Sequence, residues 1–360
     1  MRPHQGRERL LHCIALAALL AGSPVAGAQD EAGTDRQPRP AVIAPRAASS
    51  LLLDIARAGD HWVVAGQRGD VLLSTDGTAW QQVPVPVDAT LTRLRFLDAT
   101  HGWAVGYDGT LLATADGGRS WTLRQFDPDW ARPYFDLLFF DADNGLLAGA
   151  NGTLMATTDG GRTLTPVESD AFEDQPNLYK LIRLGDGSLL LAGERGFLAR
   201  STDRGASWQR LRSPYTGSYF GALAIGERGA LVFGLRGNAF HAPDIAAAEP
   251  LTSQALQAMR DAELDPDAAT AETDPVSEVP GWVALENDGF ESLFGGTVAG
   301  GRTLLFGMNG HVMRADLENR RLERMPLTPD NNLNAGAVAA AGEALIVVGT
   351  AGVQRIPLTP

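Results

Sequence analysis

The chain has 360 residues, 44% hydrophobic and 20% charged, with 41 glycines and 21 prolines. That composition is enough for a sizeable core, and without a collagen-like period the glycines should mark turns. Thirty basic residues against 43 acidic ones give a net charge of −13, which argues against binding nucleic-acid phosphates. The single cysteine, Cys13, excludes an internal disulfide framework and a cysteine-based zinc site.

In chain order, Arg2, Arg7 and Arg9 precede an apolar stretch over 10–21, and Ala26-Gly27-Ala28 ends it with small residues. This pattern predicts a secretory signal peptide over 1–28, cleaved after Ala28 and removing Cys13. The stretch is too short for a spanning helix, which needs about 20 apolar residues. No later segment is apolar enough to span a bilayer. Residues 29–39 read as a flexible polar leader, and export to the periplasm is expected.

From residue 40 onward one mark recurs: an apolar run followed by G-x-x-G. Its first glycines are Gly66, Gly106, Gly149, Gly193, Gly234, Gly307 and Gly349, with spacings of 40, 43, 44, 41, 73 and 42. Each unit reads as four short strands, A to D. In 91–125, LTRLRFL is strand A, HGWAVG strand B, TLLATA strand C and WTLRQ strand D. Asp108-Gly109, Asn151-Gly152 and Asn309-Gly310 fit two-residue type I′ turns between B and C. The B strands are nearly continuous apolar runs, which predicts burial on both faces. Repetition of such units predicts an all-β, seven-bladed β-propeller over 40–360, built of four-stranded antiparallel blades. The long spacing places an acidic insertion at about 243–281 in blade five, with a short helix near 252–264. Strand D of the last blade is missing from its place, so AVIA at 41–44 is expected to fill it and close the ring.

Four loops carry a second signature. TADGGRSW (114–121) and STDRGASW (201–208) match S/T-x-D-x-G-x-S/T-W; TTDGGRTL (157–164) and STDGTAW (74–80) are near matches. In this Asp-box, the aspartate accepts bonds from loop N–H groups and the glycine supplies a positive φ. The role is structural.

Enzyme signals are sparse. G-x-S-x-G, H-E-x-x-H and the phosphate-binding G-x-x-x-x-G-K-[ST] pattern do not occur. A sialidase-like glycoside hydrolase is the alternative, because such propellers also carry Asp-boxes, but Arg355-Ile356-Pro357 falls in the last repeat and reads as strand. His61, His101, His241 and His311 lack ligand spacing, and Asp141-x-Asp143-Asn144-Gly145 falls on an A–B turn. No cofactor, metal or catalytic residue is expected. The B–C turns and D–A connections share one face, rich in Tyr, Trp and Arg, the residues that dominate binding hot spots. Its partner-binding candidates are Arg68, Tyr107, Trp130, Arg132, Tyr134, Arg195, Tyr215, Tyr219 and Arg236.

The export signal, the G-x-x-G repeats and the Asp-box loops together resemble the photosystem II stability and assembly factor family of exported propellers. The resemblance covers about 40–360. It implies a non-catalytic, monomeric, protein-binding assembly or accessory factor for a membrane protein complex. The arginine-rich chain, whose only lysine is Lys180, indicates a high-GC bacterium. In a non-photosynthetic host the resemblance implies an accessory role for a resistance-nodulation-division type exporter.

Overall fold

In a computed structural model the described residues are 36–128, 132–252, 254–257, 276–326, 335–341 and 344–358, with 335–341 described as backbone. The signal peptide, most of the leader, Trp130 and most of the predicted 252–264 helix lie outside them. Among the described residues no helix is long and apolar enough to cross a membrane.

The strands form antiparallel sheets in simple sequential order. The innermost strands are Leu52–Ala58, Leu91–Phe96, Tyr134–Phe139, Leu178–Arg183, Tyr219–Ile225, Leu293–Ala299 and Ala335–Ala341. Each packs on the next, and the last returns to the first, so they surround a channel. The second strands, such as Gly102–Gly106 and Leu189–Gly193, are buried along their whole length between neighbouring sheets. Asp108-Gly109, Asn151-Gly152 and Asn309-Gly310 all have positive φ at both residues, as type I′ turns require.

The expected seven four-stranded blades are corrected: the described residues form six blades of four antiparallel strands. The remaining sheet has three strands, Ala335–Ala341, Ala344–Gly349 and Gly352–Pro357. Residues 41–44 form no strand and add none to it. Instead Ala41 N donates to Val85 O at 2.9 Å and Ala44 N to Gln82 Oε1 at 2.7 Å, while Gln82 Nε2 donates to Val42 O. The Gln82 amide thus takes the place of a strand ladder. Pro40 and Pro45 bracket the segment and offer no N–H of their own. The three-stranded sheet meets the first blade through the 3-10 turn Ala47–Ser49 and a core of Ala47, Leu52, Trp62, Ile346 and Val348.

The Asp-box loops join neighbouring blades. Asp203 accepts from Ser207 N at 2.9 Å and from the Ser207 hydroxyl, and Ser201 Oγ accepts from Gly205 N at 2.9 Å. Trp208 Nε1 donates to Gly205 O at 3.0 Å and its ring packs with Leu146 and Ala148 of the preceding blade. Gly205 has φ +90°, and a Cβ there would lie 2.4 Å from Leu146 Cδ1. Gly205→Ala should therefore cost about 1–3 kcal/mol in urea unfolding, through strain and overpacking. Gly226→Ala, at φ +63° with open space around it, should lose about 1 kcal/mol at most. Equal losses at both would contradict the wedge role of the loop.

Candidate functional site

Each innermost strand carries one irregularity near its start, where its register on the second strand skips a residue. Such a bulge leaves one residue unpaired and re-aims its side chain. The skipped residues are Leu53, Thr92, Phe135, Tyr179, Phe220, Phe294 and Gly336. Four of them form an aromatic arc: Phe135 to Tyr179 at 5.3 Å between ring centroids, Tyr179 to Phe220 at 5.6 Å, Phe220 to Phe294 at 5.2 Å. Tyr179, Phe220 and Phe294 are half-buried.

The next residue on each strand forms a second layer: Asp54, Arg93, Asp136, Lys180, Gly221, Gly295 and Ala337. Around the channel, four charged positions are followed by three small ones. Asp54 accepts from Leu94 N at 2.8 Å, Arg93 Nη1 at 3.2 Å and Arg95 Nη1 at 3.4 Å. Asp136, fully buried, accepts from Leu181 N at 3.0 Å and Arg95 Nη2 at 2.8 Å, and pairs with Lys180 Nζ at 3.2 Å and Arg93 Nε at 3.4 Å. Each carboxylate therefore binds a backbone N–H of the following blade. Burial pushes the Asp136 carboxyl up, but Arg95, Lys180 and Arg93 outweigh it and hold it down at about 2. Three cations share two carboxylates, and the excess charge is relieved at the weakest one. Burial, helped by Arg95 and Arg93 and opposed by Asp136, pushes Lys180 down to about 7. A cavity of about 130 Å³ lies beside this cluster, lined by Asp54, Arg93, Arg95 and Lys180 on one side and Gly221, Gly295, Gly296 and Phe294 on the other.

The sequence-predicted face residues divide into three groups. Arg68, Arg195 and Arg236 occupy the first central position of B–C turns at φ 55°, 50° and 56°. Arg68 and Arg195 are more than half exposed; Arg195 Nη2 donates to Asp174 O at 3.0 Å, and Arg68 lies 3.8 Å from Asp70. Arg132 is exposed and Tyr107 half-buried, its hydroxyl enclosed without a hydrogen-bond partner. Tyr134, Tyr215 and Tyr219 are interior side chains, which corrects their expected place on the face. Tyr215 stacks on Phe240 at 5.9 Å, its hydroxyl donating to Leu235 O, and Tyr219 bonds the Ser213 hydroxyl at 2.8 Å. The rings of Tyr215 and Tyr219 fill the core around Phe240, and each hydroxyl is satisfied locally. Phe290, on a D–A connection, is 81% exposed.

An arginine at positive φ costs roughly 1 kcal/mol that asparagine or glycine would largely avoid. Arg68→Asn should therefore raise stability by about 0.5–1 kcal/mol in urea unfolding. A loss of stability would show that the Arg68 side chain, not its backbone, decides the site.

The channel layer was missed in the sequence because its residues share no type. A positional signal exists: each lies 12 or 13 residues before the first glycine of its G-x-x-G mark. Arg355, raised by the glycosidase alternative, pairs at Ile346 on the three-stranded sheet and lies beside the Asp-box glycine Gly77, away from the channel cluster.

The family model for "Photosynthesis system II assembly factor YCF48" matches residues 72–134 and 129–247. The photosystem II assembly protein Ycf48 of Thermosynechococcus vestitus is 37% identical over 191 residues, 47% of this chain and 53% of that protein. The chain thus spans about half the length of this curated relative and less of the others matched. Among solved structures, "YCF48 bound to D1 peptide" superposes with a TM-score of 0.62 at 15% identity, covering 91% of this chain and 97% of that one. A streptogramin B lyase superposes with a TM-score of 0.64 at 10% identity, covering 87% and 95%. Likeness at these identities shows the propeller fold alone, which enzymes and assembly factors share. The matched sequence relatives are named as assembly factors.

Proposed function

We propose that this chain, which belongs to the photosystem II stability/assembly factor-like family, is a non-catalytic propeller that holds a segment of a membrane protein complex across its B–C/D–A face. The observation that carries this reading is the aromatic arc of Tyr179, Phe220 and Phe294, half-buried around the channel, with a further exposed ring, Phe290, on a D–A connection. Flat aromatic area with arginines at its rim is the composition of binding hot spots. The relative solved with a D1 peptide supports a peptide segment as the bound element. The predicted signal peptide supports export and action in the periplasm. No specific observation favours the glycosidase alternative.

The test is affinity capture from solubilised envelopes with the full chain. Wild type should recover a membrane complex, and the Arg195→Ala/Arg236→Ala double variant should recover at least about tenfold less, the loss of one or two hot-spot side chains. Undiminished recovery would remove the face from the reading. Turnover of a glycoside panel would overturn the non-catalytic assignment.

A further inference from the structure

The channel cluster sets three basic side chains, Arg93, Arg95 and Lys180, against two carboxylates, Asp54 and Asp136. The Lys180 side chain is 14% exposed and forms an ion pair with Asp136 at 3.2 Å. Arg93 uses Nη1 and Nε on Asp54, Asp136 and Phe135 O. On the opposite side the cavity wall includes glycine backbone packed tightly against its neighbours: a Cβ on Gly296 would lie 2.9 Å from Leu305 Cδ2, and one on Gly221 2.2 Å from Phe233. Among the described residues, the charges that act most on Lys180 come from three strands: Asp136, then Arg93 and Arg95, then Asp54. The cavity-lining residues from the fifth and sixth inner strands carry no titratable group, and neither does the sequence of Ala335–Ala341.

We propose that this cavity binds one carboxylate group, seated against Lys180 and Arg93 and backed by the Gly221–Gly295–Gly296 wall, and that Lys180 takes up a proton as the carboxylate enters. Protonating Lys180 would set three cations against two carboxylates and leave the cluster one anion short of neutrality. An entering carboxylate supplies it, and with that third anion the protonated amine no longer faces uncompensated positive neighbours. A cation ligand would oppose protonation of Lys180 and compete with Arg93 and Arg95 for the same two carboxylates. The carboxylate could come from two sources, an acidic group of the macromolecular partner or a free small carboxylic acid. In the first case the inference rests on the proposed function; in the second it stands without it.

The probe is succinate, with acetate as the monovalent comparison, titrated calorimetrically into the full chain. At pH 8, paired buffers of different ionisation enthalpy should report uptake of close to one proton per succinate. Affinity should weaken up to about tenfold per unit from pH 7.5 to 9 and level off below 7. Lys180→Arg should still bind but with no proton uptake and a flat pH profile. Lys180→Met should bind at least about tenfold more weakly, with thermal melting confirming that it folds. The absence of saturable heat with either acid, or proton uptake unchanged in Lys180→Arg, would overturn the proposal. Saturating succinate then separates the sources in the envelope capture. Displacement of the complex identifies the partner's carboxylate, and undisturbed capture identifies a free acid. Failed capture with intact succinate binding would count against the proposed function alone.

Discussion

Asp136→Ala should destabilise the folded chain by about 3–5 kcal/mol, the largest loss expected for any single channel substitution. Removing one partner of a buried ionic cluster leaves the other charges uncompensated, and that penalty exceeds the modest net worth of an intact pair. Here Arg93, Arg95 and Lys180 would face Asp54 alone, and Leu181 N would lose its acceptor. The loss should be strongly non-additive with Lys180. Adding Lys180→Met to Asp136→Ala removes one of the stranded cations and should recover a measurable part of the loss, a coupling of about 1–3 kcal/mol in a double-mutant cycle. Urea unfolding of the four proteins measures both quantities. A single-mutant loss below about 1 kcal/mol would mean that solvent, not the carboxylate, neutralises the channel.

Stability should rise with pH between about 7 and 9, and Lys180→Met should abolish that rise. The folded amine is held near 7 against an ordinary 10.5. In the window between those values the unfolded chain binds a proton that the folded chain does not. Stability therefore increases with pH there, with a slope up to about 1.4 kcal/mol per unit, and the full penalty of the charged amine is present below 7. Asp136 acts at the other end. Its folded value near 2 lies below the ordinary 3.8, so its contribution is complete above 3.8 and is lost as pH falls through about 2. The Asp-box aspartates Asp159 and Asp203, also held at about 2, by hydrogen bonds from Thr163 and Ser207, add to that acid limb. Lys180→Met should flatten the slope above pH 7 and keep the acid limb. A slope above pH 7 that survives the substitution would place the titrating group elsewhere.

The sequence made the repeats legible because their local chemistry is repeated. Asp108-Gly109 and Asn151-Gly152 announce their turns, and the Asp-box loops at 114–121 and 201–208 announce the C–D hairpins and the interblade tryptophans. The ring closure was not legible. Four apolar residues at 41–44 look like a strand, but Gln82 satisfies their polar groups with its side chain, a tertiary choice that no local pattern encodes. The buried tyrosines were misplaced for a related reason. Position in a connection says which end of the blade a residue occupies but not whether it points outward, and Tyr215 and Tyr219 turn inward onto Phe240. The charged channel layer depends on a one-residue register skip repeated in strands whose residue types differ from Asp to Arg to Gly. It becomes visible only when the strands stand side by side.

The central claim is that one face, ringed by the B–C turns and D–A connections, holds the partner. Site-specific photocrosslinking in living cells tests it directly. A photoreactive phenylalanine at Phe290, on that face, should trap a subunit of a membrane complex, whereas the same group at the exposed Asp-box position Arg119 should trap none. Capture at Arg119 with none at Phe290 would contradict the account.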